Sequence, residues 1–452
     1  MKPSIPKGTR DFTPEQSIRR NYIFETIQQV FIKYGFQPIE TPAMENLATL
    51  KGKYGEEGDR LLFKVLNNGD FLSKADIAAL QAKDSNKLIP SISKRGLRYD
   101  LTVPFARFVV MNQNELTFPF KRYQIQPVWR ADRPQKGRYQ EFYQCDVDIV
   151  GSDSLVFEAE LTQIYDEVFA ALNIAVEIKI NNRKILAGMA EAAGIAEQFM
   201  DMTIAIDKLD KIGEEGVRKE MSGKNIPEEA IDQITQMLAV EKIEDLSSFF
   251  EHSEVGQKGL AELSTVFDYL STGNTKNKVL FDVTLARGLN YYTGCIFEVK
   301  ADTTAYPKLK MGSIGGGGRY DDLTGVFGMK NMSGVGISFG AERIYDVMEE
   351  LDLFPQTLSQ NLKAIFIAFD EASFQYAFRA LNQVRAAGIP AEIYPEPTKM
   401  KKQMKYANAR NVAYVILVGS EEMGSGALSL KNMETGEQEK LSLEAIINKL
   451  SN

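Results

Sequence analysis

Two short segments of the chain place polar side chains at every second position. YQCDVDIV does so with Gln144, Asp146 and Asp148, and LRYDLTV does so with Arg98, Asp100 and Thr102. Because neighbouring side chains of a β-strand point to opposite faces, each segment is predicted to be a strand with a polar row above an apolar floor. The carboxylates could hold an ammonium group, and the amide and hydroxyl groups could bind a neutral polar ligand. The alternative is an ordinary sheet whose polar side lies in water.

Three arginines in separate segments could bind one triphosphate. They are Arg130 in PVWRADR, Arg287 in LARGLNYYTG and Arg343 in the first turn of the helix expected after GVGISFG. A guanidinium group binds phosphate oxygens through two parallel hydrogen bonds. Each arginine alone could equally form a surface ion pair, so the prediction depends on the three lying beside the two polar rows.

The glycine-rich segments do not match the common phosphate-binding loops. The sequence has no GxxxxGK[ST], and GVGISFG is not the GxGxxG of dinucleotide-binding folds. The glycines at positions 315–318 are therefore expected to permit close backbone packing or the close approach of a planar ligand.

The chain contains a single histidine, which excludes several kinds of catalytic site. A Ser-His-Asp or Cys-His mechanism, or a polyhistidine metal site, would depend on His252 alone. His252 lies in a polar stretch and is expected to be a surface residue without a catalytic role. Chemistry is therefore expected from arginines, carboxylates, tyrosines and substrate phosphates, and no metal site built from protein ligands is expected.

The composition is that of a soluble protein with more than one domain. The chain has 452 residues, of which 44% are hydrophobic and 25% are charged. No apolar run approaches the roughly 18 residues of a membrane span, and the start, MKPSIPKGTRDF, has no apolar signal region. The two cysteines, Cys145 and Cys295, indicate a reducing compartment. We expect a cytoplasmic protein that does not contact a membrane.

The net charge of −8 does not exclude nucleic-acid binding, because the local distribution of charge decides it. Two basic clusters stand out, one formed by Lys121, Arg122, Arg130, Arg133, Lys136 and Arg138, the other by Lys399, Lys401, Lys402, Lys405 and Arg410. Much of the first cluster lies in a turn between apolar strands. The second could be no more than the solvated face of a helix.

The elements predicted around these residues suggest an antiparallel sheet. An amphipathic helix over about residues 18–34 ends at Gly35, and the extended FQPIETPAMEN follows. LLFKVLN and LRYDLTV are predicted strands, and Pro104 is expected to open a helix. Runs at Phe120–Trp129 and Tyr139–Ile149 are predicted to pair as antiparallel strands joined by the basic loop RADRPQKGR.

The rest of the chain divides into a helical segment, a return to strands and a terminal domain. Residues 183–277 are almost entirely helix-forming and are interpreted as an inserted helical domain. After Pro355, strands alternate with helices, which predicts a small α/β domain with a largely parallel sheet. The predicted domains are 1–182 and 278–355 for an α+β core on an antiparallel sheet, 183–277 for the insertion and 361–452 for the α/β domain.

Several of these segments resemble the signature motifs of class II aminoacyl-tRNA synthetases. The first helix with GFQPIETP resembles motif 1, PVWRADRPQKGRYQEFYQCDVDIVG resembles motif 2, and GVGISFGAERI resembles motif 3. RGLNYYTGCIFEV and PKGTRDF resemble the histidyl-tRNA synthetase family, and LRYDLTVPFAR and YQEFYQCDVDI resemble its eukaryotic-type branch. The resemblance runs nearly end to end. It departs at Asn290, where that branch often has Asp, and at about residues 71–90, where compact bacterial members have a shorter segment.

The resemblance implies both a fold and a reaction. The fold would be a class II synthetase-like α+β core on an antiparallel sheet, with a helical insertion and a C-terminal α/β anticodon-binding domain. The reaction would activate L-histidine with ATP and Mg²⁺ to histidyl-adenylate and transfer it to the 3′ end of the histidine tRNA. Motif 1 implies a homodimer. No enzyme nucleophile is needed, and no editing domain is expected.

The resemblance also implies roles for individual residues. Arg130 would bridge the carboxylate of histidine and the α-phosphate, Arg287 would lie on the other side of that phosphate, and Arg343 would hold the γ-phosphate. The residues expected to bind histidine are Asp100, Leu101, Thr102, Arg130, Gln144, Asp148, Arg287, Tyr291, Tyr292 and Tyr320. The residues expected to bind tRNA are Arg133, Gln135, Lys136, Arg138, Lys399, Lys401, Lys402, Lys405 and Arg410.

Three alternatives remain open at this point. A synthetase-like paralogue could sense histidine or uncharged tRNA without catalysis, but it would be expected to have lost RGLNYYTG, the motif arginines or the C-terminal domain. Another class II synthetase would not be expected to carry RGLNYYTG. A non-enzymatic RNA-binding protein would not need the acidic and amide rows beside three arginines.

Overall fold

The computed structural model describes residues 2–51, 55–286, 291–355, 358 and 362–451. Its contacts divide the chain into two units, one drawn from residues 1–13 and 19–354 and the other from residues 14–18 and 355–452. In the described part of the chain, no helix has both the length and the apolar character needed to cross a membrane.

The strands and helices follow one another along the chain within these bounds. The strands up to residue 354 are β1 Gln37–Pro38, β2 Met44–Asn46, β3 Lys64–Val65, β4 Arg95–Leu97, β5 Phe120–Trp129, β6 Glu141–Val150, β7 Val176–Asn182, β8 Lys278–Phe281, β9 Cys295–Ala301, β10 Gly315–Tyr320 and β11 Gly334–Gly340. The helices of the same part are α1 Pro14–Lys33, α2 Leu47–Leu50, α3 Gly55–Leu61, α4 Ile77–Gln81, α5 Ser85–Ile92, α6 Thr102–Asn112, α7 Val156–Ala171, α8 Arg183–Ala192, α9 Phe199–Ile206, α10 Leu209–Gly223, α11 Glu228–Leu238, α12 Glu254–Ser271 and α13 Ala341–Glu350.

An eight-stranded sheet forms the centre of the first unit, in the order β1-β5-β6-β11-β10-β9-β7-β8. Its inner strands pair antiparallel, and only the edge pairs β1–β5 and β7–β8 are parallel. The predicted antiparallel core is therefore confirmed. The predicted hairpin is confirmed as well, with β5 and β6 at 120–129 and 141–150.

Helices cover the apolar face of this sheet, which leaves the polar face for a site. Phe31 of α1 and Tyr165 of α7 both contact Phe339 of β11, with ring centroids 5.8 and 4.7 Å apart. Cys145 and Val147 of β6 are fully buried on the same side. Because side chains alternate along β6, its polar row faces away from these helices.

The predicted strand LRYDLTV is mostly not a strand. Strand β4 ends at Leu97, and α6 begins at Thr102, two residues before the expected start at Pro104. A carboxyl oxygen of Asp100 accepts a hydrogen bond from the backbone N–H of Val103 at 3.1 Å, which turns the backbone into the helix. The alternating residues of LRYDLTV thus belong to the end of one strand, a turn and the start of a helix. LLFKVLN is likewise extended only at Lys64–Val65.

Helices occupy the described chain from Arg183 to Ser271, where an insertion is predicted. Within it, α8 packs closely against α12 because both carry glycines at the contact. A Cβ added at Gly188 would lie 2.5 Å from Cα of Gly256. The limits of an insertion domain at 183 and 277 stay a prediction.

The second unit carries a five-stranded sheet in the order β13-β12-β14-β15-β16. Its strands are β12 Ala364–Ala368, β13 Ala391–Ile393, β14 Tyr414–Val418, β15 Ala427–Asn432 and β16 Gln438–Ser442, and its helices are α14 Glu371–Ala386, α15 Met400–Ala409, α16 Ser420–Ser425 and α17 Leu443–Ser451. The pairs β13–β12 and β12–β14 are parallel, whereas β14–β15 and β15–β16 are antiparallel, so the sheet is mixed and the expectation of a largely parallel sheet was wrong. The connections after β14 and β15 are too short for a parallel crossover.

Candidate active site

Two cavities adjoin on the polar face of the eight-stranded sheet. The larger has a volume of about 560 Å³ and the smaller a volume of about 50 Å³. Five residues line both: Arg130, Gln144, Tyr292, Gly316 and Ser338. Ligands in the two cavities would therefore contact some of the same residues.

The small cavity gathers the acidic and amide residues that the sequence singled out. Gln144, Asp146 and Asp148 reach it from β6, and Asp100 and Thr102 reach it from the turn into α6. Of the six polar residues predicted for the site, five therefore line one cavity, even though most of LRYDLTV is not a strand. The sixth, Arg98, does not. It is buried elsewhere and donates to the carbonyl oxygens of Thr41 and Pro127 at 2.5 and 2.9 Å.

Asp148 is held by two groups of the protein before any ligand arrives. The hydroxyl of Tyr320 donates to Oδ1 at 2.6 Å, and Nη2 of Arg122 lies 2.7 Å from Oδ2. Burial raises the pKa of Asp148, while the charge of Arg122 and the hydrogen bond from Tyr320 oppose that rise. Asp148 is therefore one part of a charge cluster and not an isolated acceptor for an ammonium group.

Asp146 and Gln144 lie two and four residues before Asp148 on the same face of β6. Burial raises the pKa of Asp146 to about 7, against the lowering effect of Arg122. The side-chain amide of Gln144 donates to the hydroxyl of Ser338 at 3.0 Å. Its oxygen, Oε1, is buried and has no hydrogen-bond partner within the described residues. Since a buried acceptor without a partner is costly, this oxygen is suited to accept an N–H from a ligand.

Tyrosines close the remaining side of the small cavity. Tyr291 packs edge-on against Tyr292 and Tyr320, with ring centroids 5.0 and 6.1 Å apart. Burial raises the pKa of Tyr292 and of Tyr320, so both remain neutral phenols. Leu101, which the family resemblance also suggested, is fully buried and lines neither cavity.

Two of the three predicted arginines meet in the large cavity. Arg130 donates from Nε to the carbonyl oxygen of Tyr99 at 3.0 Å and stacks on the ring of Tyr99, 4.2 Å from its centroid. Arg343 donates to the carbonyl oxygens of Gly137 and Ser313 at 2.7 and 2.5 Å. Both guanidinium groups are thus oriented by backbone oxygens. The third, Arg287, lies outside the described residues.

The glycines of β10 allow the strands to pack closely beneath the cavities. A Cβ added at Gly317 would overlap the carbonyl oxygen of Gly336 on the neighbouring strand. At Gly316, which lines both cavities, the nearest atom to an added Cβ would be a backbone oxygen 3.4 Å away. Close backbone packing, one of the two expectations for this segment, accounts for Gly317.

The N-terminal segment contributes a contact that the sequence did not predict. Arg10 and Arg20 both bind the carboxylate of Glu342, at 2.9 and 2.7 Å, and Glu342 lines the large cavity beside Arg343. The guanidinium of Arg10 also stacks 3.5 Å above the ring of Tyr139. PKGTRDF carries a family resemblance, but no local pattern in it predicts a partner so far along the chain.

The expectation that Arg122 belongs to a surface cluster of basic residues for nucleic acid is wrong. Its side chain is fully buried beneath the small cavity. The available signal was that Arg122, Gln124 and Gln126 alternate along β5 and face the row on β6. Charge counting alone ignored that alternation.

The residues expected to contact tRNA in the hairpin loop differ in their surroundings. Arg133, Gln135, Lys136 and Arg138 are all exposed. Lys136 pairs with Glu350 at 2.5 Å, and Arg138 lines the large cavity. The loop therefore extends from the cavity to the surface. A loop that binds the end of a nucleic acid at the cavity would need this position.

The second basic cluster lies on and beside α15 in the second unit. Lys399, Lys401, Lys402 and Lys405 are exposed, and Arg410 is partly exposed. Lys402 pairs with Glu396 at 2.6 Å and Arg410 lies 3.6 Å from Glu392, so two of the five charges are partly neutralised. The other three remain available to an anion at the surface.

Comparison with known proteins agrees with the geometry. A family model described as histidyl-tRNA synthetase matches residues 70–344, and one described as an anticodon binding domain matches residues 358–452. The chain is 58% identical to the histidine–tRNA ligase of Christiangramia forsetii over 99% of this chain and 98% of that one, and 55% identical to that of Bacteroides fragilis over 100% and 99%. Among solved structures, histidyl-tRNA synthetase from Nostoc sp. PCC 7120 is 30% identical, with a TM-score of 0.83 over 100% of this chain and 99% of that one.

Proposed function

The chain belongs to the histidyl-tRNA synthetase family, and from that premise we propose how its residues activate histidine with ATP and transfer it to tRNA. It is a class II histidine–tRNA ligase, with ATP as a substrate. The observation that supports the residue assignments best is the pair of adjoining cavities. One is small, acidic and amide-lined, and the other is large and holds two oriented arginines.

Histidine occupies the small cavity in this proposal. Its ammonium group and imidazole lie among Asp100, Thr102, Gln144 and Asp148, with Tyr291, Tyr292 and Tyr320 around them. The buried Oε1 of Gln144 supports the assignment because it needs a donor. A substrate without the imidazole would leave such groups unpaired, and sites of this kind discriminate by roughly 10⁴–10⁵ without editing.

The arginines act on the phosphates of ATP. Arg130 lines both cavities and bridges the carboxylate of histidine and the α-phosphate. Arg343 holds the γ-phosphate end of the large cavity. We assign Arg287, on the basis of family resemblance alone, to the other side of the α-phosphate. Fixed positive charge at these points stabilises the transition state as the bond to pyrophosphate breaks.

Activation is an in-line displacement in which the enzyme supplies position and charge. A carboxylate oxygen of histidine forms a bond to the α-phosphorus, and the bond to the pyrophosphate oxygen breaks. No protein nucleophile takes part. Among the described residues, no group of three or more His, Cys, Asp or Glu side chains is arranged to hold a metal ion. In this proposal Mg²⁺ would be held by the phosphates of ATP and would neutralise part of their charge.

Transfer to tRNA follows at the same place. A ribose hydroxyl at the 3′ end of the tRNA attacks the carbonyl carbon of the adenylate, and AMP leaves. A non-bridging oxygen of the α-phosphate takes the hydroxyl proton, which agrees with the exposed position of the single histidine, His252. Sulfur substitution at that oxygen should slow transfer, and an unchanged transfer rate would exclude this proton acceptor.

The tRNA would bind at two places on the chain. The loop residues Arg133, Gln135, Lys136 and Arg138 would meet the acceptor end, because this loop leads out of the large cavity. Lys399, Lys401, Lys402, Lys405 and Arg410 would meet phosphates near the anticodon. The terminal domain over 361–452 would thus serve tRNA binding, and the insertion over 183–277 has no assigned role in the chemistry.

We also propose a cytoplasmic homodimer. The resemblance to motif 1 is supported by exposed apolar residues in the same region, since Met44 is 47% exposed and Met111 is 73% exposed. Arg107 of α6 pairs with the buried carboxylate of Glu45 in β2 and contacts the sulfur of Met111 at 3.8 Å, so β2 and α6 lie next to each other. Light scattering would show twice the chain mass, and Met111→Asp should shift it toward the monomer.

Pyrophosphate exchange with each standard amino acid in turn tests the proposed function. Exchange that depends on histidine, and not on any other amino acid, is expected. A protein that bound histidine but gave no exchange would instead be the non-catalytic sensor. Exchange with a different amino acid would refute the assignment of the small cavity.

A further inference from the structure

Beneath the small cavity lies a buried cation that none of the assigned roles uses. The side chain of Arg122 is fully buried on β5, with Nη2 2.7 Å from Oδ2 of Asp148. Its guanidinium carbon lies 4.3 Å from the ring centroid of Phe105 in α6, and Nη1 donates to Oε1 of Gln124 at 3.4 Å. Burying a guanidinium group is unfavourable unless it is paired with a group of opposite charge.

The register of the strands explains why Arg122 meets the site from below. On β5 and β6, Arg122 lies opposite Asp148 and Gln124 lies opposite Asp146. Both aspartates line the small cavity, and both are influenced by the charge of Arg122. Arg122 is therefore the ion-pair partner of Asp148, and its charge also acts on Asp146, at the floor of the histidine site.

We propose that Arg122 is a positioning residue for histidine: it keeps Asp148 ionised and fixed so that the carboxylate can receive the substrate. This inference rests on the proposed function, because it assumes that histidine occupies the small cavity. Arg122 itself lines neither cavity, so it acts through Asp148 and does not contact the substrate.

Several groups besides Arg122 surround Asp148, and their effects set the expected pH dependence. Tyr320 donates to Asp148 from β10, and Asp146, Asp100 and Tyr292 also face the cavity. Burial raises the pKa of Asp148 and Arg122 counters it. Without Arg122 the pKa of Asp148 would rise further, because only the hydrogen bond from Tyr320 would then oppose the effect of burial. The carboxylate would be lost progressively as the pH falls.

Arg122→Met tests the proposal, with Lys121→Met as the matched control. Lys121 is the next residue on β5 but faces the opposite side, where it pairs with Glu160 at 2.8 Å. The KM for histidine in pyrophosphate exchange would be measured from pH 6 to 8.5, with the KM for ATP alongside. For Arg122→Met we expect a rise in the histidine KM of about 10- to 100-fold at pH 8. The ratio to wild type should grow toward pH 6.

The ratio to wild type removes the ionisation of histidine itself, which is common to both proteins. Lys121→Met should leave the histidine KM unchanged, and the KM for ATP should stay close to wild type in both variants. The double variant Arg122→Met/Asp146→Asn should recover part of the loss, because one of the two carboxylates no longer needs a counter-ion. A flat ratio across pH, or equal rises in the KM for histidine and for ATP, would overturn the proposal.

Arg122→Lys covers the case in which Arg122→Met does not fold. A lysine keeps the charge, so its histidine KM should stay within several-fold of wild type and its ratio should vary little with pH. A loss of 100-fold or more in folded Arg122→Lys, with no pH dependence, would show a purely structural role. Wild-type protein without histidine-dependent exchange would instead refute the proposed function and leave the link between Arg122 and Asp148 to be judged by titration of Asp148.

Discussion

Replacing Gly336 by alanine should damage histidine binding without touching any residue that contacts ATP. Gly336 lies opposite Asp148 in the pairing of β11 with β6. A Cβ added there would overlap Oδ1 and Cγ of Asp148 and come within 3.0 Å of Oδ2. The carboxylate would have to shift by roughly 1 Å to restore an ordinary contact distance.

The size of the effect follows from the two contacts that hold this carboxylate. Tyr320 and Arg122 bind its two oxygens at 2.6 and 2.7 Å, so a shift of this size breaks at least one of the contacts. A hydrogen bond to a charged group is worth about 1.5–3 kcal/mol. Since every 1.4 kcal/mol or so is a factor of ten, the KM for histidine should rise by roughly 10- to 150-fold.

Histidine-dependent pyrophosphate exchange measures this prediction, with the KM for ATP and the melting temperature as controls. The comparison should be repeated in an Asp148→Ala background. There the added methyl group meets no carboxylate, so Gly336→Ala should cause little further loss. A folded Gly336→Ala enzyme whose histidine KM stays within twofold of wild type would refute the claim that Asp148 must keep its place.

Three other expectations can be checked independently. Arg287→Ala should lower the rate of exchange by about 10²–10³ through lost charge at the α-phosphate while the melting temperature stays unchanged; near-normal exchange would contradict its role. Arg10→Ala should raise the KM for ATP more than that for histidine, because Glu342 loses one of its two cations beside the large cavity; equal changes would contradict this. Lys401→Glu with Lys405→Glu should weaken tRNA charging and lower the salt dependence by about two ions, leaving exchange intact; an unchanged charging rate would argue against tRNA contact at α15.

The local sequence was sufficient wherever a repeating pattern or a terminating residue decides the structure. The polar row on β6 followed from alternation alone, and the structure places Gln144, Asp146 and Asp148 in one cavity. The first helix ends as predicted near Gly35, whose φ of +78° suits glycine. The resemblance of long motifs to a known family then supplied the reaction, which pattern alone would have left open.

Prediction from periodicity failed where the same sequence pattern is compatible with two local structures. LRYDLTV alternates as a strand would, but the strand ends at Leu97, and the side chain of Asp100 accepts a hydrogen bond from the backbone N–H of Val103 in the first turn of α6. The terminal domain alternates strands and helices, but short connections after β14 impose antiparallel pairing. In the first case a hydrogen bond to a side chain, and in the second the length of a connection, determines the structure where periodicity does not.

Only the tertiary structure decided which charges are buried and which distant residues meet. Its positive charge and basic neighbours in the sequence predicted that Arg122 contacts nucleic acid. The packing of α6 against β5 instead buries it and places it beside Asp148. Arg10 reaches Glu342 across more than three hundred residues of chain. Local sequence sets the faces of each strand and helix, whereas burial depends on what covers those faces. The electrostatics of the histidine site depend on that burial.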